Sequence, residues 1–104
     1  MSKPLVIGRE AEAELAEACE WFDTHRPGLG RDLLAAVEGA LARIARRPQT
    51  GSLAPGVSDG SVRQVWIRRF KYHVVFTELP DRIQVLAIAH ERRRPRYWAG
   101  RIPR

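Results

Sequence analysis

The sequence predicts one α+β domain: a short strand, an antiparallel helical hairpin, then a three-stranded antiparallel meander, in the order β-α-α-β-β-β. Three observations predict it. Apolar residues recur at helical spacing as far as about residue 47, then alternate from residue 62 onward. Gly- and Pro-rich breaks fall between these segments, at 26–30 and 48–61. The chain has 104 residues, 44% of them apolar and 29% charged, which is enough for one core and too little for separate catalytic and substrate domains.

Residues 4–7 form a short apolar segment closed by Gly8 and read as an opening strand. Over residues 9–24, Ala11, Leu15, Ala18 and Phe22 recur on one helical stripe, flanked by Cys19 and Trp21, while Glu10, Glu12, Glu17 and Glu20 point outward. The early carboxylates suit the positive end of the helix dipole. Arg26-Pro27-Gly28-Leu29-Gly30 breaks this helix. Leu33, Leu34, Val37, Leu41 and Ile44 then define a second one, which Pro48 closes after Arg43, Arg46 and Arg47. So short a connection sets the two helices antiparallel. Residues 48–61 make a long Gly/Pro/Ser loop. Strand-like runs follow at 62–68, Tyr72–Glu78 and Ile83–His90. The linkers 69–71 and 79–82 are long enough only for hairpins.

In the last hairpin, pairing Glu78 with Ile83 places Tyr72, Val74 and Phe76 on one side with Val85, Ala87 and Ala89, an apolar set for packing on the helices. The other side then holds His73, Val75, Thr77, Gln84, Leu86, Ile88 and His90. A one-residue slip puts His90 beside Tyr72 and separates it from His73. The first register keeps both histidines off the core and is the one expected. It implies an open sheet face of Val75, Leu86 and Ile88 with two histidines, rimmed by arginines, of the kind that marks a partner surface.

Charge is unevenly spread. The net +6 divides into −2 up to Ser61, with seven basic and nine acidic residues, and +8 beyond it, with eleven and three. A basic C-terminal half favours an anionic partner, which charge alone leaves as nucleic acid, the ribosome, an acidic protein or an anionic membrane surface, or else is simply a well-solvated arginine face. The single cysteine, Cys19, excludes an internal disulfide and reads as a structural thiol. Neither a signal segment nor a membrane-length apolar run is visible, so a cytoplasmic location with no membrane contact is expected. Three scattered histidines give no metal signature, and no phosphate loop or nucleophile triad is present; no cofactor or metal is expected.

The segment "HERRRPRYW" at 90–98 follows the last strand. His73 and His90 could act as general acid and base near neutral pH, or could be a half-exposed strand residue and a strand-end hydrogen bonder. His25 reads as a helix C-terminal cap. Tyr97 and Trp98 could stack on bases or on a protein, or tuck back over the sheet edge.

With this element order, "AEAELAEACEWF", "RPGLGRDLLAAVEGALARIARRPQTG", "VRQVWIRRFKYHVVFTE" and "IQVLAIAHERRRPRYW" resemble the ParE branch of the RelE/ParE toxin superfamily over essentially the whole chain. The most specific part is the H-x-R-R-x-P-x-Y-W ending, here His90, Arg92, Arg93, Pro95, Tyr97 and Trp98. The resemblance implies the toxin of a bacterial type II toxin-antitoxin pair. Its cognate antitoxin would lay a C-terminal helix and strand along the sheet and helical hairpin, in a hetero-oligomer. It further implies inhibition of DNA gyrase by binding, without chemistry.

The superfamily's ribosome-dependent mRNA endonucleases instead carry two lysines on the first meander strand and an arginine after the tyrosine of the next. Those positions are Gln64, Trp66 and His73 here. An RNase reading would rest on His73, His90, Arg92 and Tyr97. A third reading is a non-toxic basic nucleic-acid-binding module. Residues expected to meet target or antitoxin are Arg68, Arg69 and Lys71 at the first hairpin turn, His73, His90, Arg92, Arg93, Arg94 and Arg96, and the aromatic pair Tyr97 and Trp98.

Overall fold

A computed structural model of the protein describes residues 3–57 and 59–103. The chain is α+β, as the patterning predicts. Strand β1 (Leu5–Ile7) leads into helices α1 (Arg9–His25) and α2 (Leu29–Arg46), followed by β2 (Ser52–Leu53), β3 (Val62–Ile67), β4 (Tyr72–Glu78) and β5 (Ile83–His90). The strands form one sheet in the order β1-β5-β4-β3-β2. The two edges were not legible beforehand. β1 pairs parallel with β5, Leu5 opposite Ile83 and Ile7 opposite Val85, a connection that the helical hairpin makes possible as a crossover. β2 lies inside the expected loop, with Ser52 opposite Gln64, and two residues are too short to show a period.

The helices cover one face of the sheet. Leu33, Val37 and Ile44 of α2 and Ala11 and Ala18 of α1 pack against Val65, Ile67, Val74, Phe76, Val85 and Ile88. The turn between the helices is set by Gly28 at φ 89°, a left-handed conformation that glycine adopts without penalty. Asp23 then accepts the N–H of Gly30 at 2.7 Å, satisfying one of the free donors in the first turn of α2. His25 sits in the last turn of α1, where Nδ1–H donates to the Trp21 carbonyl at 2.8 Å, in agreement with its reading as a C-terminal cap.

The register of the last hairpin departs from the expected one. Glu78 does face Ile83, and Phe76 faces Val85, but the next pair is Val75 with Ala87. Leu86 is an extra residue, a β-bulge, and beyond it the pairing has slipped by one: His73 opposes Ala89 and Tyr72 opposes His90. Leu86, Ala87 and Ala89 therefore lie in one apolar cluster while Val85 and Ile88 lie in the other. The two histidines end up on opposite faces, His90 beside Tyr72 on the helix side and His73 on the outer side.

Nor is the outer face open. Val75, Leu86 and Ile88 are buried, Ile88 beneath the helices and the other two beneath the chain's own C-terminal segment. Trp98, 4% exposed, seals the outer cluster with Ala54, and Tyr97, Ala99 and Ile102 pack around it. Burying an indole and several aliphatic groups stabilises by a few kcal/mol, which is why "RYW" folds back instead of projecting.

Two left-handed residues interlock where this segment meets the loop after β2: Arg96 at φ 63° and Gly56 at φ 83°. A Cβ on Gly56 would run into the Arg96 side chain. We expect Gly56→Ala to cost roughly 1–2 kcal/mol from the left-handed conformation and to loosen residues 94–98, measured as a lower thermal midpoint and faster amide exchange there.

Among the described residues no helix is long and apolar enough to cross a membrane.

Candidate functional site

The C-terminal segment is clasped to α1 by one carboxylate. Glu14 accepts Tyr97 Oη–H at 2.7 Å, the Ile88 backbone N–H at 3.1 Å, and two guanidinium contacts from Arg101 at 3.0 and 3.2 Å. Arg101 also donates to the Leu86 carbonyl at 3.0 Å. β1 pairs with β5 only as far as Val85, so Glu14 and Arg101 satisfy the β5 edge where β1 stops. Burial works against the Arg101 charge, but its hydrogen bond to Glu14 and the charges of Glu14 and Glu10 outweigh it and hold the group above its usual range. Burial, then the bond to Glu14, pushes the Tyr97 phenol far above the ordinary tyrosine value. Tyr97 is thus a committed donor.

The clasp brings two basic segments together. The hairpin turn between β3 and β4 is pinned by buried Phe70, which meets Phe22 edge-on at 5.1 Å, and Lys71 takes φ 60°. The Lys71 carbonyl accepts the N–H of Glu91 at 3.0 Å. Arg68 and Lys71 therefore share one end of the sheet with Arg92, Arg93, Arg94 and Arg96, and none of these six makes an ion pair with any described residue. Arg69 differs. It bridges to Asp32 at 3.2 Å and lies over the Phe70 ring at 4.9 Å, so it is tied to the fold. Arg93 lies over the Tyr97 ring at 4.0 Å, which orients its guanidinium without neutralising it.

On the outer face these arginines border a cleft of about 190 Å³ whose floor includes Gln64, His73 and Ala89 and whose rim carries Glu91, Arg93, Arg94 and Arg96. The His73 ring lies 4.5 Å from that of Trp66, at 40°. Burial lowers the His73 pKa, partly offset by Glu91, so the ring is neutral at pH 7. The folded state then binds its proton less readily than the unfolded chain. Stability from this group is complete above about pH 6.5 and declines as pH falls through the lowered value. His73→Gln should flatten the fall in thermal midpoint between pH 7.5 and 5, whereas an unchanged slope would assign that fall to other groups.

His73 and His90 both border this cleft, but from opposite faces of the sheet. The His90 ring meets Tyr72 at 5.0 Å, and its Nδ1 accepts the Arg92 N–H at 3.2 Å, which leaves the neutral ring's proton on Nε2. The facing acid–base pair implied by the expected register is therefore not formed: the bulge turns one histidine away from the other. Tyr97 Oη is engaged by Glu14, and Arg92 is exposed. Of the sites read from the sequence, His73, His90, Arg93, Arg94, Arg96 and Tyr97 line the cleft, and Trp98 meets it from the core.

A second groove of about 390 Å³ lies between α1 and β5, lined by Glu14, Glu17, Trp21, Phe22, Tyr72, Ile88, His90 and Arg93. Trp21 is exposed there and stacks on His25 at 3.8 Å. Among the described residues no group of three His, Cys, Asp or Glu side chains could hold a metal ion.

Two residues of this region were missed from the sequence. Glu14 stands three residues after Ala11 and four before Ala18, on the inward stripe of α1, and a carboxylate there is a signal of a buried partner. Trp66 alternates with the buried Val65 and Ile67, so an outward aromatic was legible.

No family model matches the sequence, and no curated protein does. Solved structures do: a chain of the chromosomal ParDE TA system from P. aeruginosa superposes with a TM-score of 0.73, covering 86% of this chain and 96% of that one at 19% identity. The fold is ParE-like. At that identity the likeness is one of architecture, and it agrees with the fold that the sequence motifs imply.

Proposed function

We propose that this protein is the toxin of a type II toxin-antitoxin pair that inhibits DNA gyrase by binding to it and is neutralised by a cognate antitoxin. The observation that carries the reading is the match of nearly the whole fold to a chain of a ParDE TA system, joined to the ParE-like "HERRRPRYW" ending. Binding is favoured over catalysis because the two histidines face away from each other and the tyrosine is engaged. The α1–β5 groove, apolar at Trp21, Phe22 and Ile88, suits an amphipathic antitoxin helix. The unpaired arginines suit an acidic surface of either the antitoxin or the target.

The test is tightly regulated expression of this chain without its antitoxin in a bacterial host, following plasmid supercoiling and transcript integrity in the same samples. Relaxed or cleaved plasmid with intact transcripts is expected. Cut transcripts with normal supercoiling would overturn the gyrase reading in favour of an RNase, and would make His73 the first residue to replace. Normal growth with neither change would leave the reading as a non-toxic nucleic-acid-binding module.

A further inference from the structure

The outer cleft holds an arrangement that gyrase binding does not call for. Trp66 is 42% exposed near the end of β3, beyond the two residues that β2 pairs with, where a large aromatic gains nothing for the core. It is not loose, because the His73 ring directly across the ladder lies against it. The result is an exposed indole held by a tilted imidazole, and the imidazole itself lines the cleft. Arg93, Arg94 and Arg96 stand along the cleft rim, and Glu14, Tyr97 and Gly56 hold that segment in place from behind. An exposed indole braced by a neighbouring ring and flanked by guanidinium groups that make no ion pair with any described residue is the pairing of features that takes successive bases and phosphates of a single strand. An acidic peptide would use the arginines and leave the indole idle.

We propose that this face binds a single-stranded polynucleotide, with one base stacked on Trp66, which His73 braces, and the flanking phosphates on Arg93, Arg94 and Arg96. Glu91, on the same rim, is the opposing charge and weakens the grip. The binding is non-covalent and belongs to the chain alone, so it stands or falls independently of the gyrase reading.

The experiment is fluorescence anisotropy with the purified chain and labelled dodecamers of thymidylate and of uridylate, compared with a duplex of the same length and a dodecamer of glutamate. Both single strands should bind with quenching of tryptophan emission. Three phosphate contacts give a slope of log affinity against log salt of about −2, and Arg94→Gln should reduce that slope by about 0.7. Trp66→Ala should weaken single-strand binding by about tenfold or more, Trp66→Phe should largely restore it, and Glu91→Gln should tighten it. Trp66 is on the surface, so circular dichroism should show both variants folded; the arginine and Glu91 variants test the same face if they are not. Binding that tracks only charge, with the glutamate peptide or the duplex as tight as the single strands, would overturn the proposal. So would an affinity indifferent to Trp66→Ala. A preference for thymidylate or uridylate would distinguish DNA from RNA as the source of the strand.

Discussion

Glu14→Ala should lower the stability of the folded chain by about 3–5 kcal/mol, the loss typical when one partner of a buried ion pair is removed and the other is left behind. The carboxylate is 14% exposed and Arg101 20%, and the substitution also orphans the Ile88 N–H and the Tyr97 hydroxyl. For a domain of this size each kcal/mol moves the thermal midpoint by about 4–8 °C, so a fall of about 15 °C or more is expected. Amide exchange should rise first in residues 97–101, which the clasp ties to α1 and β5. Glu14→Gln keeps an acceptor oxygen and should cost less. A midpoint within about 2 °C of the parent for Glu14→Ala would mean that Trp98 burial alone anchors the segment.

Gly30→Ala is the second large effect, and its sign is decided by packing. On an open helix surface alanine gains about 1 kcal/mol over glycine. At Gly30 a Cβ would collide with the Cys19 carbonyl and sit 2.8 Å from the Asp23 carboxylate, pressing α1 and α2 apart. It would also disturb the Asp23 bond to the Gly30 N–H. Overpacking of this kind costs about 1–3 kcal/mol, and losing the bond adds about 1. The net expectation is a loss of about 2 kcal/mol. Gly39→Ala, on the same helix with nothing within 4 Å of its Cβ, should instead gain up to about 1 kcal/mol. Opposite shifts of the two midpoints in thermal melts would confirm that helix proximity, and not flexibility, requires Gly30.

Much of this architecture was legible because the periods are strong. The Ala11-Leu15-Ala18-Phe22 stripe and the Leu33-Val37-Ile44 series could only be helices, and the break at Gly28 could only be a turn. What was not legible has a common cause. Val85-Leu86-Ala87-Ile88-Ala89 is apolar at every position, so alternation cannot register it and nothing announces the bulge at Leu86. The position of His90 depended on that bulge. The covered outer face depended on the same slip and on Trp98, for which an exposed role and a tucked one were equally consistent with the sequence. The arginines at the cleft were visible as a run, but not which basic residues were spoken for: the contacts with Asp32 and Glu14 separate Arg69 and Arg101 from Arg93, Arg94 and Arg96, which make no ion pair with any described residue.

Inhibition of gyrase by this chain is tested by adding the purified chain to purified DNA gyrase and relaxed plasmid and reading supercoiling with increasing chain. The proposed inhibition of gyrase requires dose-dependent loss of supercoiling, with trapped cleaved DNA, that an antitoxin added in equal amount reverses. Full supercoiling at a large excess of folded chain would contradict it.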